Sequence, residues 1–244
     1  MLKIQNLKRY FGGVKAVDGA SFEINENTIT ALIGPNGSGK TTVFNLISGI
    51  LVEDDGRTWF NGTEITHKTI EQTSNIGISR LFQQSRLFGN LTVKDNLLLA
   101  IDNEDTKFWK NLFFHKITKE DLEKVKKISE LMNISGFMNK QAKDLSFGQK
   151  RLVEIARAII KPHKFLMLDE PVAGVNPKLR KEIAELLLRL KKDGETILLI
   201  EHDMNFTLGV SDRVIVMDEG KVIAEGTPKE TKSNPKVLEA YLGD

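Results

Sequence analysis

The sequence contains no cysteine, no long apolar run and no excess of charge of one sign. Disulfides are therefore excluded, and the 244 residues must rely on a hydrophobic core, which a chain of this length can bury. The longest apolar runs, such as 97–101 and 197–200, are far shorter than the roughly 20 residues that a membrane-spanning helix needs. A formal net charge of +2 provides no sequence-wide field that would hold nucleic acid, although a local basic patch remains possible.

The start of the chain also lacks a long apolar stretch. The first nine residues scatter charge where a secretion signal needs about 7 to 15 apolar residues. We therefore expect the protein to stay in the compartment where it is made. The lack of cysteine is compatible with a reducing compartment without proving one.

The first part of the chain has the pattern of a small sheet. Short strand-like runs lie at 2–7, 21–24 and 29–33, separated by glycine- and asparagine-containing breaks. A glycine-rich turn at 34–39 then leads into 40–48, which the pattern predicts as a helix.

Between about 90 and 160 the pattern becomes helical. Thr118 can cap a helix whose third residue is Asp121. The apolar residues that follow are predicted to share one helix face: Leu122, Val125, Ile128, Leu131 and Met132. This change of pattern indicates a helical subdomain inserted into an α/β domain.

After residue 160 the strand pattern returns. The runs 165–168, 196–200 and 213–217 are almost continuously apolar, as strands covered by helices on both faces must be. A helix that starts at Pro177 and ends before Gly194 separates the first two. Its predicted buried residues are Leu179, Ile183, Leu186, Leu187 and Leu190. Alternating strands and helices predict a mostly parallel sheet.

The end of the chain is predicted to carry two short helices. A capping box with proline at its first helical position lies at 227–230, and 234–235 offers a second helix start.

The strongest chemical signal is the segment 34–41, which fits G-x-x-x-x-G-K-[ST] and lies between a strand and a helix. Glycines there let backbone N–H groups surround a polyphosphate at the helix N-terminus. Lys40 would reach the β- and γ-phosphates, and the Thr41 hydroxyl would coordinate Mg²⁺. The predicted nucleotide contacts are Gly34, Pro35, Asn36, Gly37, Ser38, Gly39, Lys40, Thr41 and Thr42.

A second acidic element follows a predicted buried strand. Asp169 fits a residue that organises Mg²⁺, and Glu170 fits the general base that takes a proton from the attacking water. Adjacent acids before Pro171 could instead serve only to cap a helix. The phosphate-binding loop upstream favours the catalytic interpretation.

The segment 145–151, Leu-Ser-Phe-Gly-Gln-Lys-Arg, resembles the signature segment of ATP-binding cassette ATPases. Phe147 stands where the family usually has glycine, while Ser146, Gly148 and Gln149 match. The resemblance implies that these three residues contact the γ-phosphate of ATP held by a partner cassette. Two cassettes would therefore pair head to tail with two ATP molecules between them.

Further family positions occur in the expected order. Gln83 resembles the loop glutamine that touches Mg²⁺ and water and senses the membrane partner. The segment 173–177 is similar to the loop that crosses the interface between cassettes. His202 resembles the switch histidine that contacts the γ-phosphate and positions water. Each alone could be structural, since an isolated residue carries little information.

The resemblance also assigns an adenine contact near the N-terminus. Phe11 matches the aromatic that stacks on adenine, with Val17 beneath it. Tyr10 is an alternative stacking residue, and either ring could instead be part of the core.

The resemblance implies a P-loop NTPase fold. A RecA-like, mostly parallel sheet would carry an N-terminal antiparallel β subdomain and an inserted α-helical signature subdomain. Within one ATPase domain, we expect the ATP-binding core at 1–89 and 161–225, the helical subdomain at 90–160 and a helical appendix at 226–244.

Segments at 10–17, 77–83, 86–88 and 240–243 resemble the branched-chain amino acid importer ATPases of the LivG type. Leu81 departs from the threonine common there, and urea and lipopolysaccharide cassettes share parts of the pattern. The resemblance implies ATP and Mg²⁺ as cofactors and a place at the cytoplasmic face of the membrane. It implies as partners two permease subunits, a second ATPase, either identical or paralogous, and indirectly an external solute-binding protein.

An aromatic cluster in 102–118 suggests either a groove for a permease helix or ordinary core. Its members are Phe108, Trp109, Leu112, Phe113 and Phe114.

Two other classes of protein remain as alternatives. A soluble cassette ATPase acting on nucleic acid is disfavoured by the near-neutral charge, and a small-molecule kinase would not explain the signature segment.

Overall fold

The computed structural model describes residues 1–81, 87–101 and 117–242. Its strands are β1 Leu2–Phe11, β2 Val14–Ile24, β3 Ile29–Ile33, β4 Asp55–Phe60, β5 Thr63–Glu64, β6 Ile78–Leu81, β7 Phe165–Asp169, β8 Ile197–Ile200, β9 Arg213–Asp218 and β10 Lys221–Gly226. Its helices are α1 Lys40–Ile47, α2 Ile70–Asn75, α3 Val93–Ile101, α4 Lys119–Leu131, α5 Phe147–Ile160, α6 Pro177–Lys192, α7 Met204–Val210, α8 Pro228–Lys232 and α9 Pro235–Leu242.

The N-terminal strands form an antiparallel sheet in the order β2-β1-β4-β5. β1 and β2 are longer than the predicted runs 2–7 and 21–24, and a turn with Gly12 at φ +57° joins them into a hairpin. The sequence pattern predicted a shorter β1 because register shifts in this strand break its alternation of polar and apolar residues.

The main sheet has the order β10-β9-β3-β8-β7-β6, and its neighbours are parallel except for the hairpin of β9 and β10. This confirms the predicted α/β class with a mostly parallel sheet. β7 shows why its strands are continuously apolar. Phe165 and Met167 face one hydrophobic core, and Leu166 and Leu168 face another on the opposite side.

The two cores place α1 between the two sheets. The side that contains Phe165 also includes Val43 and Phe44 of α1, together with the inner face of the antiparallel sheet. Phe60 and Phe165 have ring centroids 6.0 Å apart, which joins the two sheets directly. The opposite side is covered by helices α3 to α7. The phosphate-binding segment at the start of α1 is therefore held by packing on both sides.

The helices follow the predicted patterns closely. Thr118 caps α4 in a capping box with Asp121, and all five predicted residues of α6 are buried. Thr227 forms the capping box of α8, with proline at its first helical position. One residue differs: Leu122 on α4 is 40% exposed, because the buried face of this helix is narrower than the predicted one.

The topology brings the predicted site residues to one edge of the main sheet. β7, β8 and β3 are neighbours, and their carboxyl ends lead into the segments that carry Asp169, His202 and Lys40. This edge is where ligands of open α/β sheets bind. Among the described helices, none combines the length and apolarity that crossing a bilayer requires.

Candidate functional site

The glycine-rich loop between β3 and α1 has a backbone that only glycine adopts without strain. Gly34, Gly37 and Gly39 have φ values of +150°, +81° and +99°. A Cβ atom on Gly34 would lie 2.0 Å from the carbonyl oxygen of Met217, and one on Gly39 would lie 2.2 Å from that of Ala16. The loop is thus fitted tightly against β2 and β9. Close backbone approach requires glycine at Gly34 and Gly39, while at Gly37 only the positive φ favours it.

Lys40 is buried beneath this loop and folds back on it. Its Nζ donates to the carbonyl oxygens of Gly34 at 2.9 Å and Pro35 at 2.7 Å, and to Ser38 Oγ at 3.2 Å. Burial lowers the pKa of Lys40, while the nearby charges of Glu170 and Asp169 act in the opposite direction. Both carboxylates therefore act on the ammonium through their charge.

The rim of the loop is open to solvent. Asn36, Gly37 and Thr41 are exposed, and Thr42 is half-buried at the first turn of α1. The first N–H groups of a helix have no partner within the helix, and the helix dipole favours negative charge there. Lys40, the loop and this helix start together form a cradle that fits the phosphates of a nucleotide.

Asp169 ends β7 as a buried carboxylate held by Arg80, whose side chain is 6% exposed. Arg80 Nη2 lies 3.0 Å from Asp169 Oδ2, and its Nη1 donates to Asn45 Oδ1 at 2.8 Å and Ser48 Oγ at 2.9 Å. Burial raises the pKa of Asp169, and the guanidinium of Arg80 opposes that rise. Asp169 is thereby tied to α1, the helix that begins with Lys40.

Glu170 and His202 form a hydrogen-bonded pair beside this carboxylate. His202 Nε2 lies 2.9 Å from Glu170 Oε1, although 32 residues separate them in sequence. Glu170 has φ +50°, an unusual conformation for a residue with a side chain, and its N–H donates to the Ile200 carbonyl oxygen at 2.9 Å. The imidazole is about half exposed, so this pair faces solvent at the sheet edge.

The predicted signature residues lie at the start of α5. Ser146 caps the helix by accepting from the Gln149 N–H at 3.3 Å, and Gln149 Oε1 accepts from the Ser146 N–H at 3.0 Å. Gly148 packs closely against Leu179, where a Cβ would lie 2.9 Å from Leu179 Cδ2. Phe147 is 63% exposed, so this helix start presents an open surface.

The residues assigned to adenine have different environments. Phe11 is 43% exposed, and the Arg9 guanidinium lies 4.9 Å from the centroid of its ring. Val17 has no exposed surface and belongs to the core between the sheets. The Tyr10 hydroxyl donates to Asp18 Oδ1 at 2.6 Å. Of the two rings, Phe11 is the more exposed, since Tyr10 is half-buried.

Two predicted features lie outside the described residues. Gln83 belongs to 82–86, which directly follows β6, and the aromatic cluster of 102–118 falls almost wholly in 102–116. Their proposed contacts therefore stay predictions.

A divalent cation at this site would need ligands from the nucleotide as well as from the chain. The described residues contain no group of three or more histidine, cysteine, aspartate or glutamate side chains that could hold a metal. Thr41 and Asp169 offer a hydroxyl and a carboxylate, the oxygen ligands that Mg²⁺ takes when it also binds substrate phosphates. This donor set fits a Mg²⁺ ion that arrives with a nucleotide.

Three charged residues of the site whose side chains are largely covered were not singled out from the sequence: Arg80, Arg151 and Glu201. Arg80 and Glu201 stand within or directly after apolar strands, where an ionisable side chain needs a partner. That signal could have marked them as members of a network. Their partners Asp169 and Val172 could not have been named, because they lie 89 and 29 residues away in sequence.

The chain matches protein-family models. The family described as ABC transporter matches residues 17–173, which is more than half of the chain. A second model, described as branched-chain amino acid ATP-binding cassette transporter, matches residues 221–244.

Individual proteins resemble the chain over its full length. A probable branched-chain amino acid transport ATP-binding protein LivG of Methanocaldococcus jannaschii is 41% identical, covering 100% of this chain and 98% of the relative. A nucleotide-free ATP-binding cassette from an ABC transporter has a TM-score of 0.90 and 39% identity, covering 100% of this chain and 99% of its own. The ADP conformation of an ATP-binding cassette of an ABC transporter has a TM-score of 0.89 and 38% identity, with the same coverage.

The family match and the full-length similarity agree with the geometry of the glycine-rich loop and of the sheet edge beside it. The chain belongs to the ATP-binding cassette family of ABC transporter ATPases.

Proposed function

We propose that this chain powers an importer of branched-chain amino acids by hydrolysing ATP at the edge formed by β3, β7 and β8. The observation that carries the chemistry is the pair of Glu170 and His202 at 2.9 Å, at the sheet edge to which the buried Lys40 also belongs. The substrate class is supported by the family match of the C-terminal residues and by the names of the relatives.

The proposed reaction assigns a role to each of these groups. Lys40 and the N–H groups of the loop bind the phosphates, and Glu170 takes a proton from the attacking water while His202 orients it. Thr41 and Asp169 would hold Mg²⁺, which supplies charge neutralisation on the phosphate oxygens when bound. Gln83 is proposed as a further contact to metal and water.

Hydrolysis in this proposal takes place between two cassettes. Ser146, Gly148 and Gln149 lie at an exposed helix start, which can receive the γ-phosphate bound by a partner cassette. The partner is either a copy of this chain or a paralogue. Two permease subunits would dock the pair at the cytoplasmic face of the membrane, with a solute-binding protein acting outside.

Within each cassette, we propose the core 1–89 and 161–225, the helical subdomain 90–160 and the appendix 226–244.

Adenine is proposed to stack on Phe11, the more exposed of the two rings. Stacking of a base on an aromatic side chain contributes about 1–3 kcal/mol, so Phe11→Ala should weaken ATP binding by roughly 5- to 150-fold. Tyr10→Phe is the matched control, because it removes only a hydroxyl that already bonds to Asp18. If Phe11→Ala leaves ATP binding unchanged while Tyr10→Ala, which removes the other ring, weakens it, the assignment of the stacking residue is wrong.

The proposed substrate is tested by uptake of labelled leucine in source cells that carry the native gene or Lys40→Ala. Lys192→Ala, at the end of α6, serves as a control for loss of a lysine charge outside the site. We expect uptake to be lost only in Lys40→Ala, and unlabelled valine and isoleucine, but not urea, to compete in the native cells.

If Lys40→Ala cells that lack a second leucine carrier take up leucine undiminished, the proposed substrate class is contradicted. The assignment as an ATPase would remain intact. A urea or amide importer, or a lipopolysaccharide exporter, would then become the leading alternative.

A further inference from the structure

The backbone that carries Glu170 is held in an unusual conformation by two buried side chains of opposite charge. We define the catalytic turn as residues 169–172, which connect β7 to the loop before α6. Glu170 has φ +50° within it, a conformation that persists only where the surroundings determine it. The groups that determine it therefore bear on where the Glu170 carboxylate points.

Arg151 of α5 binds the carbonyl oxygens of this turn. Its Nε donates to Pro171 O at 3.0 Å, and its Nη2 donates to Asp169 O at 3.2 Å and also to Glu170 O. Glu154, one helical turn away, accepts from Nη1 at 3.1 Å and orients the guanidinium. Three consecutive carbonyl groups thus accept hydrogen bonds from one buried cation. The planar guanidinium of arginine has the donor geometry for this arrangement, and a lysine ammonium does not.

Glu201 binds the N–H groups on the other side of the turn. Its Oε1 accepts from the Val172 N–H at 2.7 Å, and its Oε2 accepts from the His202 N–H at 3.2 Å. The Asp203 N–H also interacts with this carboxylate. Glu201 is buried and comes directly after β8, so it joins the catalytic turn to the segment that carries His202.

We propose that Arg151 and Glu201 are positioning residues that hold the Glu170 carboxylate within reach of His202. Arg151 holds the catalytic turn through its carbonyl groups, and Glu201 holds it through the Val172 N–H. The hydrogen bonds of both side chains to this region go to backbone groups. Arg151 lies in the second turn of α5, the helix that begins with the signature residues. The position of Glu170 therefore also depends on the position of α5. The inference rests on the proposed role of Glu170 as the base.

The first test separates positioning from nucleotide binding. We would measure ATP hydrolysis by the purified full-length chain with Arg151→Gln, Arg151→Lys and Glu201→Gln. Arg151→Gln should lower kcat by roughly 10- to 100-fold, the scale at which a misplacement of about 1 Å lowers a rate. The ATP concentration for half-maximal rate should stay within about twofold, because the phosphate-binding loop is untouched. Arg151→Lys should fall between Arg151→Gln and the native chain.

Arg213→Gln is the matched control, since Arg213 pairs with Glu225 in the hairpin of β9 and β10, away from the catalytic turn. It should leave kcat unchanged. Thermal melting of every variant shows whether it is folded at the assay temperature. If Arg151→Lys and Glu201→Gln are both folded and hydrolyse ATP at the native rate, the proposal is overturned.

The second test repeats Arg151→Lys and Glu201→Gln in a Glu170→Gln chain, with single-turnover hydrolysis as the measurement. A residue that acts through Glu170 should cause little further loss once the base is absent. An equal loss in both backgrounds would overturn the proposal. If instead Glu170→Gln alone hydrolyses ATP like the native chain, the assignment of the base fails, and this outcome is distinct from failure of the positioning proposal.

Discussion

Gly34→Ala is the substitution for which the structure gives the largest predicted effect on the phosphate-binding loop. The new Cβ would lie 2.0 Å from the Met217 carbonyl oxygen and 2.7 Å from Ser38 Oγ. The first contact is with the backbone of a buried strand, so it cannot be relieved by rotating a side chain. Either β9 or the loop must move.

The cost has two parts. A backbone conformation that only glycine favours costs about 1–3 kcal/mol for alanine. Overpacking of a tightly fitted site costs about 1–3 kcal/mol more. We therefore expect the free energy of unfolding to fall by roughly 2–6 kcal/mol. Displacing the loop should also remove at least one charged hydrogen bond to phosphate, which weakens ATP binding by about 10- to 150-fold.

Gly62→Ala is the matched control, because Gly62 has φ +77° but nothing within 4 Å of its Cβ position. It should cost only the backbone term, about 1–2 kcal/mol, and leave ATP binding unchanged. Urea unfolding and isothermal titration with ATP measure the two quantities. If Gly34→Ala is as stable as Gly62→Ala and binds ATP within about threefold of the native chain, the close approach does not shape the site.

Three further predictions address charge, pH and packing. Lys40→Ala should abolish detectable ATP binding by titration calorimetry, because the buried ammonium under the loop is lost; near-native affinity would contradict its role. Burial lowers the pKa of His163, but its contacts with Glu195 and with the Lys161 carbonyl oxygen together outweigh this, so the pKa is raised above 6.5. His163 should therefore stabilise the fold below about pH 6.5 and lose that contribution as pH rises through the folded-state pKa. Urea unfolding at pH 6 and 8 should show this loss of unfolding free energy in the native chain but not in His163→Gln. Ile183→Ala should lower the free energy of unfolding by about 2–5 kcal/mol, since Ile183 is fully buried on α6, and a loss of less than about 1 kcal/mol in urea unfolding would contradict this packing.

Local patterns predicted the parts of the fold whose cause is local. The buried face of α6 follows from its apolar spacing, and the capping boxes at Thr118 and Thr227 follow from three-residue spacing. The glycine-rich loop could be placed because its spacing and its flanking strand and helix lie within one short segment. The same holds for the carboxylates that end β7.

The network around the carboxylates could not be predicted, because its partners are distant in sequence. Arg80 lies 89 residues before Asp169, and Glu201 lies 29 residues after Val172. Only the order of strands in the main sheet brings these groups together. The extension of β1 to Phe11 was missed for a related reason, since contacts such as Lys8 with Asp55 support polar residues that the alternation rule would exclude.

The central claim is that Glu170 is the base for ATP hydrolysis beside the phosphate-binding loop. The most direct measurement compares single-turnover hydrolysis and ATP retention in Glu170→Gln, the native chain and Glu185→Gln, which removes a carboxylate from the exposed face of α6. We predict that Glu170→Gln retains bound ATP while hydrolysing it about 10²- to 10⁴-fold more slowly, and that Glu185→Gln behaves like the native chain. Hydrolysis by Glu170→Gln at the native rate would contradict the account.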